Sequence, residues 1–321
     1  MIEKILVTGS SGQIGSELVL ALRNIYGTDN VIASDKCAHT GIKLADSGPF
    51  EQLDVTDRKH MAEIVDKYNV NAIVHLAAIL SAVGEKKPML AWDVNINGMI
   101  NVFEIARERK MERILVPSSI AAFGPSTPII NTPQETILRP TTMYGITKVT
   151  GELLGDYYVA KFGLDIRGLR YPGIISNETL PGGGTTDYAV AIYYDAIKYG
   201  KYECFLKEDT MLPMMYMPDC LKATLDLFQA DFNKLKHHSD FNVGAFSVNP
   251  KMMAESIRKF IPSFEITYKP DFRQEIADSW PNSIDDTAAR EEWNWSPSYD
   301  LDTMTEDMLK VIGEKHKKGL I

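Results

Sequence analysis

Lys4-Ile-Leu-Val-Thr-Gly-Ser-Ser-Gly-Gln-Ile-Gly15 is the stretch that decides the fold. Its apolar, β-branched start predicts a short buried strand, and the residues after Gly12 predict a helix. Glycines at positions 9, 12 and 15 let the backbone turn tightly and approach a pyrophosphate, which the helix N-terminus attracts with free amides. The spacing Gly-x-x-Gly-x-x-Gly differs from the commoner Gly-x-Gly-x-x-Gly. The context predicts a dinucleotide site, and a plain strand-to-helix turn is the alternative.

An acidic residue stands about 20 residues further on, where a dinucleotide site requires one. Asp35 ends the predicted strand Val31-Ile-Ala-Ser34. A carboxylate there accepts hydrogen bonds from the ribose hydroxyls of NAD and repels the 2′-phosphate of NADP. Lys36 weakens this preference, so the sequence favours NAD without excluding NADP. Asp54, which Val55 follows, either contacts the adenine amine or is an ordinary turn residue at the start of a helix.

Short β-branched runs alternate with helical patterns along the first half of the chain. The predicted strands are 4–8, 30–34, 72–76, 113–118 and 165–171. Strands separated by helices form βαβ crossovers, which predict an α/β fold with a doubly wound, parallel Rossmann sheet. In such a sheet, ligands bind at the carboxyl ends of the strands.

The rhythm changes after Tyr171, where prolines and a glycine run break the chain into short elements. The sequence therefore predicts an NAD-binding domain over 1–175 and a smaller substrate-binding lobe, mainly over 176–215 and 246–321. A helix and strand within 216–245 are expected to return to the first domain. The two parts are thus interleaved in sequence.

The composition is that of a soluble globular protein, with 321 residues, 45% of them apolar and 24% charged. A formal net charge of −9 disfavours a nucleic-acid or anionic-membrane surface. Cys37, Cys204 and Cys220 are widely spaced and form no Cys-x-x-Cys pair, so neither a disulfide framework nor a metal site is indicated. The first strand begins almost at Met1 without a leader, and a cytoplasmic location fits best.

Tyr144-Gly-Ile-Thr-Lys148 places a phenol and an amine four residues apart, on one face of a predicted helix. A phenolate beside an ammonium is a usable base. Bringing a tyrosine from a pKa near 10 to near 7 requires about three pKa units, or roughly 4 kcal/mol of preferential phenolate stabilisation. A neighbouring lysine and a cationic nicotinamide supply such stabilisation. An ordinary amphipathic helix is the alternative.

Several motifs occur in the order typical of one family. They are the glycine turn, Asp35, His75-Leu-Ala-Ala78, Asn95-Ile-Asn-Gly98, Ser118-Ser119 before Phe123-Gly124, Tyr144 with Lys148, and Arg170-Tyr-Pro-Gly173. The chain thereby resembles the extended short-chain dehydrogenase/reductase family over most of its length. The resemblance implies a Rossmann domain that binds NAD, a smaller substrate lobe and oxidoreductase chemistry.

The resemblance also implies roles for individual residues. Tyr144 is expected to act as the general base for a substrate alcohol, Lys148 to bind the nicotinamide ribose and lower the tyrosine pKa, and Ser119 to hydrogen-bond the reacting oxygen. Ser118 is the rival of Ser119, since strand alternation lets only one of them face the cleft. The expected cofactor-binding residues are Gly9, Ser11, Gly12, Gln13, Ile14, Gly15, Asp35, Asp54, Val55, Leu76, Ala77, Ala78, Asn95, Tyr144, Lys148, Tyr171, Pro172 and Ile174.

The second lobe indicates the size of the substrate. Sugar-nucleotide members of the family follow the Arg-Tyr pair with Phe-Asn, whereas this chain has Pro172-Gly173. The segment 185–257 contains no arginine, although arginine forks bind diphosphates well. A substrate smaller than a sugar nucleotide is therefore expected.

Four segments resemble the short-chain group of L-threonine 3-dehydrogenases within that family. They are Leu80-Ser-Ala-Val-Gly84, Pro181-Gly-Gly-Gly-Thr-Thr-Asp187-Tyr188-Ala, Leu212-Pro-Met-Met-Tyr-Met-Pro-Asp219 and Asp278-Ser-Trp-Pro281. The likeness implies oxidation of L-threonine at its Cβ alcohol to 2-amino-3-oxobutyrate. The implied substrate-binding residues are Ser81, Ser119, Tyr144, Gly184, Thr185, Thr186 and Trp280.

The same residues also fit other interpretations. The glycine run before Thr185 suits a lid hinge, while Thr185 or Thr186 suits a helix cap and Trp280 suits simple lobe packing. A UDP-sugar 4-epimerase or dehydratase is the alternative enzyme, and a cofactor-binding protein without catalysis is disfavoured because Ser119, Tyr144 and Lys148 are all present. Family likeness also implies a homodimer through helices around 88–109 and 143–162.

Overall fold

A six-stranded parallel sheet forms the centre of the computed structural model, which describes residues 2–37, 44, 46–179, 182 and 184–321. The strands of the described chain are β1 Ile5–Thr8, β2 Val31–Asp35, β3 Phe50–Gln52, β4 Ala72–His75, β5 Arg113–Leu115, β6 Ser118–Ser119, β7 Ile166–Arg167, β8 Leu169–Tyr171, β9 Gly173–Ile175, β10 Lys201–Cys204, β11 Leu212–Tyr216, β12 Phe241–Asn242, β13 Phe246–Val248 and β14 Glu265–Tyr268. The central sheet has the order β3-β2-β1-β4-β5-β7. This is the doubly wound order, and the predicted Rossmann fold class is confirmed.

Helices connect these strands. They are α1 Gln13–Tyr26, α2 Arg58–Tyr68, α3 Ser81–Lys86, α4 Pro88–Trp92, α5 Gly98–Arg109, α6 Met143–Phe162, α7 Tyr188–Tyr199, α8 Met217–Gln229, α9 Pro250–Arg258, α10 Arg273–Ala277, α11 Thr287–Trp293 and α12 Leu301–Lys317. A π-helical turn, Asp93–Asn97, lies between α4 and α5.

The chain divides into two compact units. The first comprises Met1–Ala122, Thr142–Arg170 and Leu221–Phe241, and the second Phe123–Thr141, Tyr171–Cys220 and Asn242–Ile321. In the first unit, the apolar strands β1 and β4 pair in register from Ile5 opposite Ala72, and both are almost fully buried. Side chains from α2 and α5, such as Ile64 and Phe103, pack with strand residues in one core. This burial holds the carboxyl ends of the strands in place.

Two predicted strands are interrupted in the structure. The sequence predicts one strand over 113–118, but the strand stops at Leu115 and β6 begins at Ser118, after Pro117. Proline has no N–H for a sheet ladder, so it interrupts pairing. The predicted strand 165–171 likewise divides at Gly168, where an added Cβ would lie only 2.6 Å from the Val116 carbonyl oxygen. Beyond that glycine, β8 joins a separate sheet with the order β12-β8-β6.

Helix α6 occupies the predicted range. Thr142 caps its N-terminus by accepting a hydrogen bond from the Gly145 amide at 3.1 Å. Gly163 ends it in the left-handed region, with φ of 68°, which costs glycine little. Both ends of the helix that carries Tyr144 and Lys148 are therefore fixed by local sequence.

The second unit is built on small sheets. One has the order β13-β11-β9, and another pairs β10 with β14 in parallel. Segment 123–141 belongs to this unit, where Ile129 O accepts a hydrogen bond from Asn282 N at 2.7 Å. Asp219 is buried and accepts hydrogen bonds from the amides of Ser298 and Tyr299. These contacts tie distant segments into one body.

The segment expected to return to the main sheet forms a helix and a strand. The helix is α8, and the strand β12 pairs with β8 rather than with the six-stranded sheet. Among the described residues, none of the helices has the length and apolar character that crossing a bilayer requires. No group of potential metal ligands was found in the same part of the chain.

Candidate active site

The glycine turn at the end of β1 has no room for side chains. Gly9 has φ of 68°, and an added Cβ would lie 2.5 Å from the Ala77 amide nitrogen. At Gly15, a Cβ would overlap the Gly9 carbonyl oxygen, because helix α1 starts directly over the turn. The Gly12 amide donates to Gly9 O at 3.1 Å. Both the backbone conformation and the close approach therefore require glycine.

Two polar side chains of this turn lack partners in the part of the chain that the structure describes. The hydroxyls of Ser10 and Ser11 are buried and have no hydrogen-bond partner among the described residues. Gly12 is exposed at the N-terminus of α1, where no acidic side chain occupies the first turn. Free hydroxyls and amides at a helix N-terminus suit a pyrophosphate. The turn therefore fits a dinucleotide.

Asp35 lies next to the glycine turn, at the end of β2. Its Oδ2 accepts a hydrogen bond from the Ser11 amide at 3.0 Å, and Oδ1 accepts one from the Cys37 amide at 3.2 Å. Lys36 pairs with Asp54 at 2.7 Å, and this hydrogen bond lowers the pKa of the Asp54 carboxyl. The lysine charge is thus engaged by a second carboxylate. Because its charge is paired with Asp54, Lys36 attracts the 2′-phosphate of NADP less strongly than the sequence suggested.

Asp54 also has a structural role. Its Oδ1 accepts hydrogen bonds from the amide and the hydroxyl of Thr56. The N-cap of α2 is Asp57, which accepts the His60 amide. Asp54 therefore shapes the turn before the helix, and its contact with adenine stays a prediction. Val55 is buried beside Gly98, where a Cβ would come within 2.8 Å of Val55 Cγ2.

Asn95 lies in the π-helical turn, which the sequence did not predict. Its side chain accepts the Ile79 amide at 2.7 Å and donates to Ile79 O and to Thr147 Oγ1, both at 3.0 Å. Asn95 therefore holds the loop after β4, which contains Leu76, Ala77 and Ala78, against α6. A π turn often marks a functional position, but no local sequence signal indicates it.

Tyr144 and Lys148 lie one turn apart on α6, as predicted. The Lys148 Nζ is 5.3 Å from the centre of the Tyr144 ring and donates to the Pro117 carbonyl oxygen at 2.7 Å. The Ser119 hydroxyl lies close enough to the Tyr144 phenol to influence its pKa. Ser119 also accepts the Ala121 amide at 3.2 Å. The structure thus brings the three predicted catalytic side chains together in the first unit.

Ser118 faces the other way. It is buried, and its hydroxyl donates to Glu152 Oε1. Glu152 also accepts two hydrogen bonds from Arg170, at 2.9 and 2.8 Å. The alternation expected of a strand therefore separates a serine beside Tyr144 from a serine inside a charged network.

Burial controls the ionisation of the site. It raises the pKa of Tyr144 to about 12, although the hydrogen bond with Ser119 opposes this shift. It lowers the pKa of Lys148 to about 8, with Glu152 opposing. The lowered tyrosine pKa that the sequence led us to expect stays a prediction for the complex with NAD, since burial alone shifts the pKa upward.

A cavity of about 30 Å³ lies behind Lys148. Its lining includes His75, Asn95, Ser118, Thr147, Lys148 and Glu152. His75 Nδ1 is 2.8 Å from Thr8 Oγ1, whereas its buried Nε2 has no partner among the described residues. Burial lowers the pKa of His75 to about 3, so the ring is neutral at ordinary pH. The space is large enough for a water molecule.

Sequence reasoning missed Glu152 and His75 as parts of the site. Glu152 stands four residues after Lys148, so helical spacing alone puts it on the same face. Its pairing with Arg170 joins residues from different elements and carries no local signal. His75 was recognised only as the start of a family motif. Its burial beside the lysine becomes visible only in the folded chain.

The predicted substrate-binding residues of the second unit lie around the start of α7 and near α10. The Gly184 amide donates to Asp187 Oδ2 at 2.6 Å, and Asp187 is the N-cap residue of α7. Neither Thr185 nor Thr186 caps the helix, so that interpretation is wrong. Pro181 and Gly183 lie outside the described residues. Gly182 is exposed, while Trp280, after α10, is 7% exposed.

The remaining predicted site residues are also placed. In the second unit, Tyr171 and Pro172 are buried and Ile174 is half-buried on β9. In the first unit, Ser81 opens the short helix α3 and is buried, with no hydrogen bond of its hydroxyl to the described residues. Gln13 and Ile14 are half-buried in the first turn of α1.

The model of the NAD dependent epimerase/dehydratase family matches residues 5–244, which include the glycine turn and the Ser119, Tyr144 and Lys148 group. The chain belongs to this family. NAD is therefore its cofactor, in agreement with the free hydroxyls of the glycine turn and the carboxylate of Asp35.

Three similar proteins cover nearly the whole chain. An uncharacterized epimerase/dehydratase of Staphylococcus saprophyticus is 50% identical, with 98% of each chain covered. The crystal structure of L-threonine dehydrogenase from Clostridium difficile is 55% identical, with a TM-score of 0.96 and 98% of each chain covered. A monomeric L-threonine 3-dehydrogenase from a metagenome is 47% identical, with a TM-score of 0.93, covering 97% of this chain and 99% of that one. The chain is thus an oxidoreductase of this family with L-threonine dehydrogenases among its structural neighbours.

Proposed function

We propose that the protein is an NAD-dependent L-threonine 3-dehydrogenase that oxidises the Cβ alcohol of L-threonine to 2-amino-3-oxobutyrate. The observation that carries the proposal is the Ser119, Tyr144 and Lys148 group, in a chain 55% identical to the L-threonine dehydrogenase of Clostridium difficile. The shortage of arginine in 185–257 supports a substrate without a diphosphate.

Each catalytic group has a defined task in this proposal. Tyr144 takes the proton of the substrate hydroxyl, and Ser119 donates a hydrogen bond to the reacting oxygen. Lys148 contributes positive charge and binds the nicotinamide ribose. NAD, when bound, accepts the hydride and brings a cationic ring. That charge favours the phenolate, which burial alone disfavours.

A direct assay separates this proposal from its alternatives. Purified protein is incubated with NAD and either L-threonine or a UDP-hexose, while absorbance of NADH is followed. Threonine-dependent NADH supports the proposal. Conversion of the UDP-hexose without net NADH supports an epimerase or dehydratase, and no reaction with either substrate supports a protein that only binds its cofactor.

Replacing Asp35 by Asn should raise the use of NADP relative to NAD. The carboxylate that repels a 2′-phosphate is lost, and the Lys36–Asp54 pair stays in place. We expect the NAD to NADP ratio of kcat/KM to fall by about tenfold, the effect of roughly 1.4 kcal/mol of charge repulsion. Asp29→Asn, at an exposed position, is the matched control. An unchanged ratio would argue against contact between Asp35 and the ribose.

Replacing Lys148 by Met should move the activating limb of the pH profile to higher pH. The Lys148 ammonium lies 5.3 Å from the centre of the Tyr144 ring, and removing its charge destabilises the phenolate. We expect a shift of about one to three pH units in kcat/KM. Because burial lowers the pKa of Lys148 to about 8, the wild-type advantage should be largest below that pH. If the limb does not move, the two groups are not coupled.

We also propose a homodimer through α4, α5 and α6. Met89 on α4 is 72% exposed, and Leu153 and Tyr157 on α6 are 64% and 52% exposed. Apolar surface of this kind on adjacent helices is typical of an interface. Since a structural neighbour is described as monomeric, light scattering at assay concentration decides the matter. A mass of one chain would overturn the proposal.

A further inference from the structure

Gly173 occupies a place in the second unit where no side chain fits. It lies on β9 and pairs with Met214 of the parallel strand β11. An added Cβ would overlap Met214 Sδ and would lie 2.8 Å from Thr186 Cγ2. Comfortable carbon contacts are about 3.5–4.0 Å. The methyl group of Thr186 therefore fills the space that a side chain at position 173 would need.

Backbone conformation does not explain this glycine. Gly173 is absent from the glycines with positive φ in the described chain, so other residues can adopt its backbone angles. Within the described chain, the requirement on this position is therefore one of space rather than of backbone conformation. Any substitution acts first on Thr186 and Met214.

Both neighbours are held by their surroundings. Met214 is fully buried on the middle strand of the β13-β11-β9 sheet. Thr186 sits in a turn closed by the hydrogen bond between the Gly184 amide and Asp187 Oδ2 at 2.6 Å. Its carbonyl oxygen accepts the Ala189 amide at 3.1 Å. A Cβ at position 173 would therefore displace the threonine side chain or the turn that carries it.

The contact also fixes the Thr186 hydroxyl. A β-branched side chain has few χ1 rotamers, and turning the methyl group toward Gly173 determines where Oγ1 lies. The half-buried threonine has no hydrogen bond from its hydroxyl to the described residues. The hydroxyl is thus held in one orientation and left available for a ligand.

We propose that Gly173 is a specificity-determining position, which orients the Thr186 hydroxyl toward a small amino-acid substrate by leaving space for the Thr186 methyl group. This inference rests on the proposed threonine oxidation. An asparagine at this position, as in the Phe-Asn pair of sugar-nucleotide enzymes, is incompatible with Thr186 as placed. The Pro172-Gly173 pair and Thr186 are therefore sterically matched, because the Thr186 methyl group occupies the space that a side chain at position 173 would need.

The test uses Met214→Val as its background, since this change removes the sulfur that an added Cβ would overlap. In that background, Gly173→Ala is expected to lower kcat/KM for threonine by about 100-fold, as a displacement of about 1 Å can. Most of the loss should appear in KM. Adding Thr186→Ser removes only the crowded methyl group and keeps the hydroxyl, so it should restore at least tenfold of the loss. NAD affinity and the thermal midpoint are measured for each variant.

The outcomes are distinct. A rise in KM that Thr186→Ser reverses, with NAD affinity unchanged, supports the inference. A normal KM in the Gly173→Ala variant, or a loss that Thr186→Ser does not reverse, overturns it while threonine oxidation by the wild type still stands. A wild type that makes no NADH from threonine refutes the proposed function, and this inference with it.

Discussion

Tyr144→Phe is expected to lower kcat for threonine by about 1000-fold, within the range that a positioned acid or base contributes. The phenol ring stays, so helix α6 keeps its packing. Only the hydroxyl that meets Ser119 is lost. The measurement is steady-state NADH formation, together with fluorescence titration of NAD. We expect NAD affinity to remain within about twofold, because the variant removes a proton-transfer group and leaves the glycine turn intact.

The physical reason is that no neighbouring group replaces the phenol. His75 is neutral, since burial lowers its pKa to about 3. The Ser118 hydroxyl donates its hydrogen bond to Glu152. Lys148 has a pKa lowered to about 8 and donates to Pro117 O. Under the proposed mechanism, Tyr144 is therefore the one general base among these groups.

A matched control uses another tyrosine. Tyr199 ends α7 and is 67% exposed, and Tyr199→Phe should leave kcat unchanged. Near wild-type turnover in Tyr144→Phe would contradict the base assignment. Equal losses in both variants would instead indicate damage to the fold, which thermal unfolding of each protein reveals.

The sequence predicts most of what local chemistry determines. The glycine turn depends on residues 9–15, and α6 depends on its cap at Thr142 and its end at Gly163. Alternation along β6 separates Ser118 from Ser119. Each of these features is encoded within a few neighbouring residues, so a pattern is sufficient to find it.

Features that depend on contacts between sequence-distant residues became visible only in the structure. The π turn around Asn95 depends on hydrogen bonds to Ile79 and Thr147, which are distant in sequence. The upward shift of the Tyr144 pKa depends on burial by several elements. Spacing placed the lysine beside the tyrosine but carried no information on this desolvation cost. The contact of Gly173 with Thr186 is likewise visible only after folding.

The buried Glu152–Arg170 pair gives the second large expected effect, which is on the free energy of unfolding. Glu152 and Arg170 are 4% and 2% exposed and form two hydrogen bonds, at 2.9 and 2.8 Å. Replacing Glu152 by Gln keeps the shape but leaves the guanidinium facing an amide. Breaking a buried pair by changing one partner costs about 3–5 kcal/mol. We expect a loss of this size in the free energy of unfolding.

The nearby Asp240 carboxylate and an exposed control pair both bear on whether burial causes this loss of unfolding free energy. Asp240 remains 3.2 Å from Arg170, but burial raises its pKa to about 6, so it is a weak substitute as pH falls toward that value. Chemical denaturation near pH 6, where Asp240 is partly protonated, measures the change. Glu63→Gln removes the same charge from the exposed Lys59–Glu63 pair and should cost less than about 1 kcal/mol. Similar losses in the two variants would show that burial does not make the Glu152 pair special. A large loss confined to Glu152→Gln would show that the buried pair with Arg170 stabilises the fold.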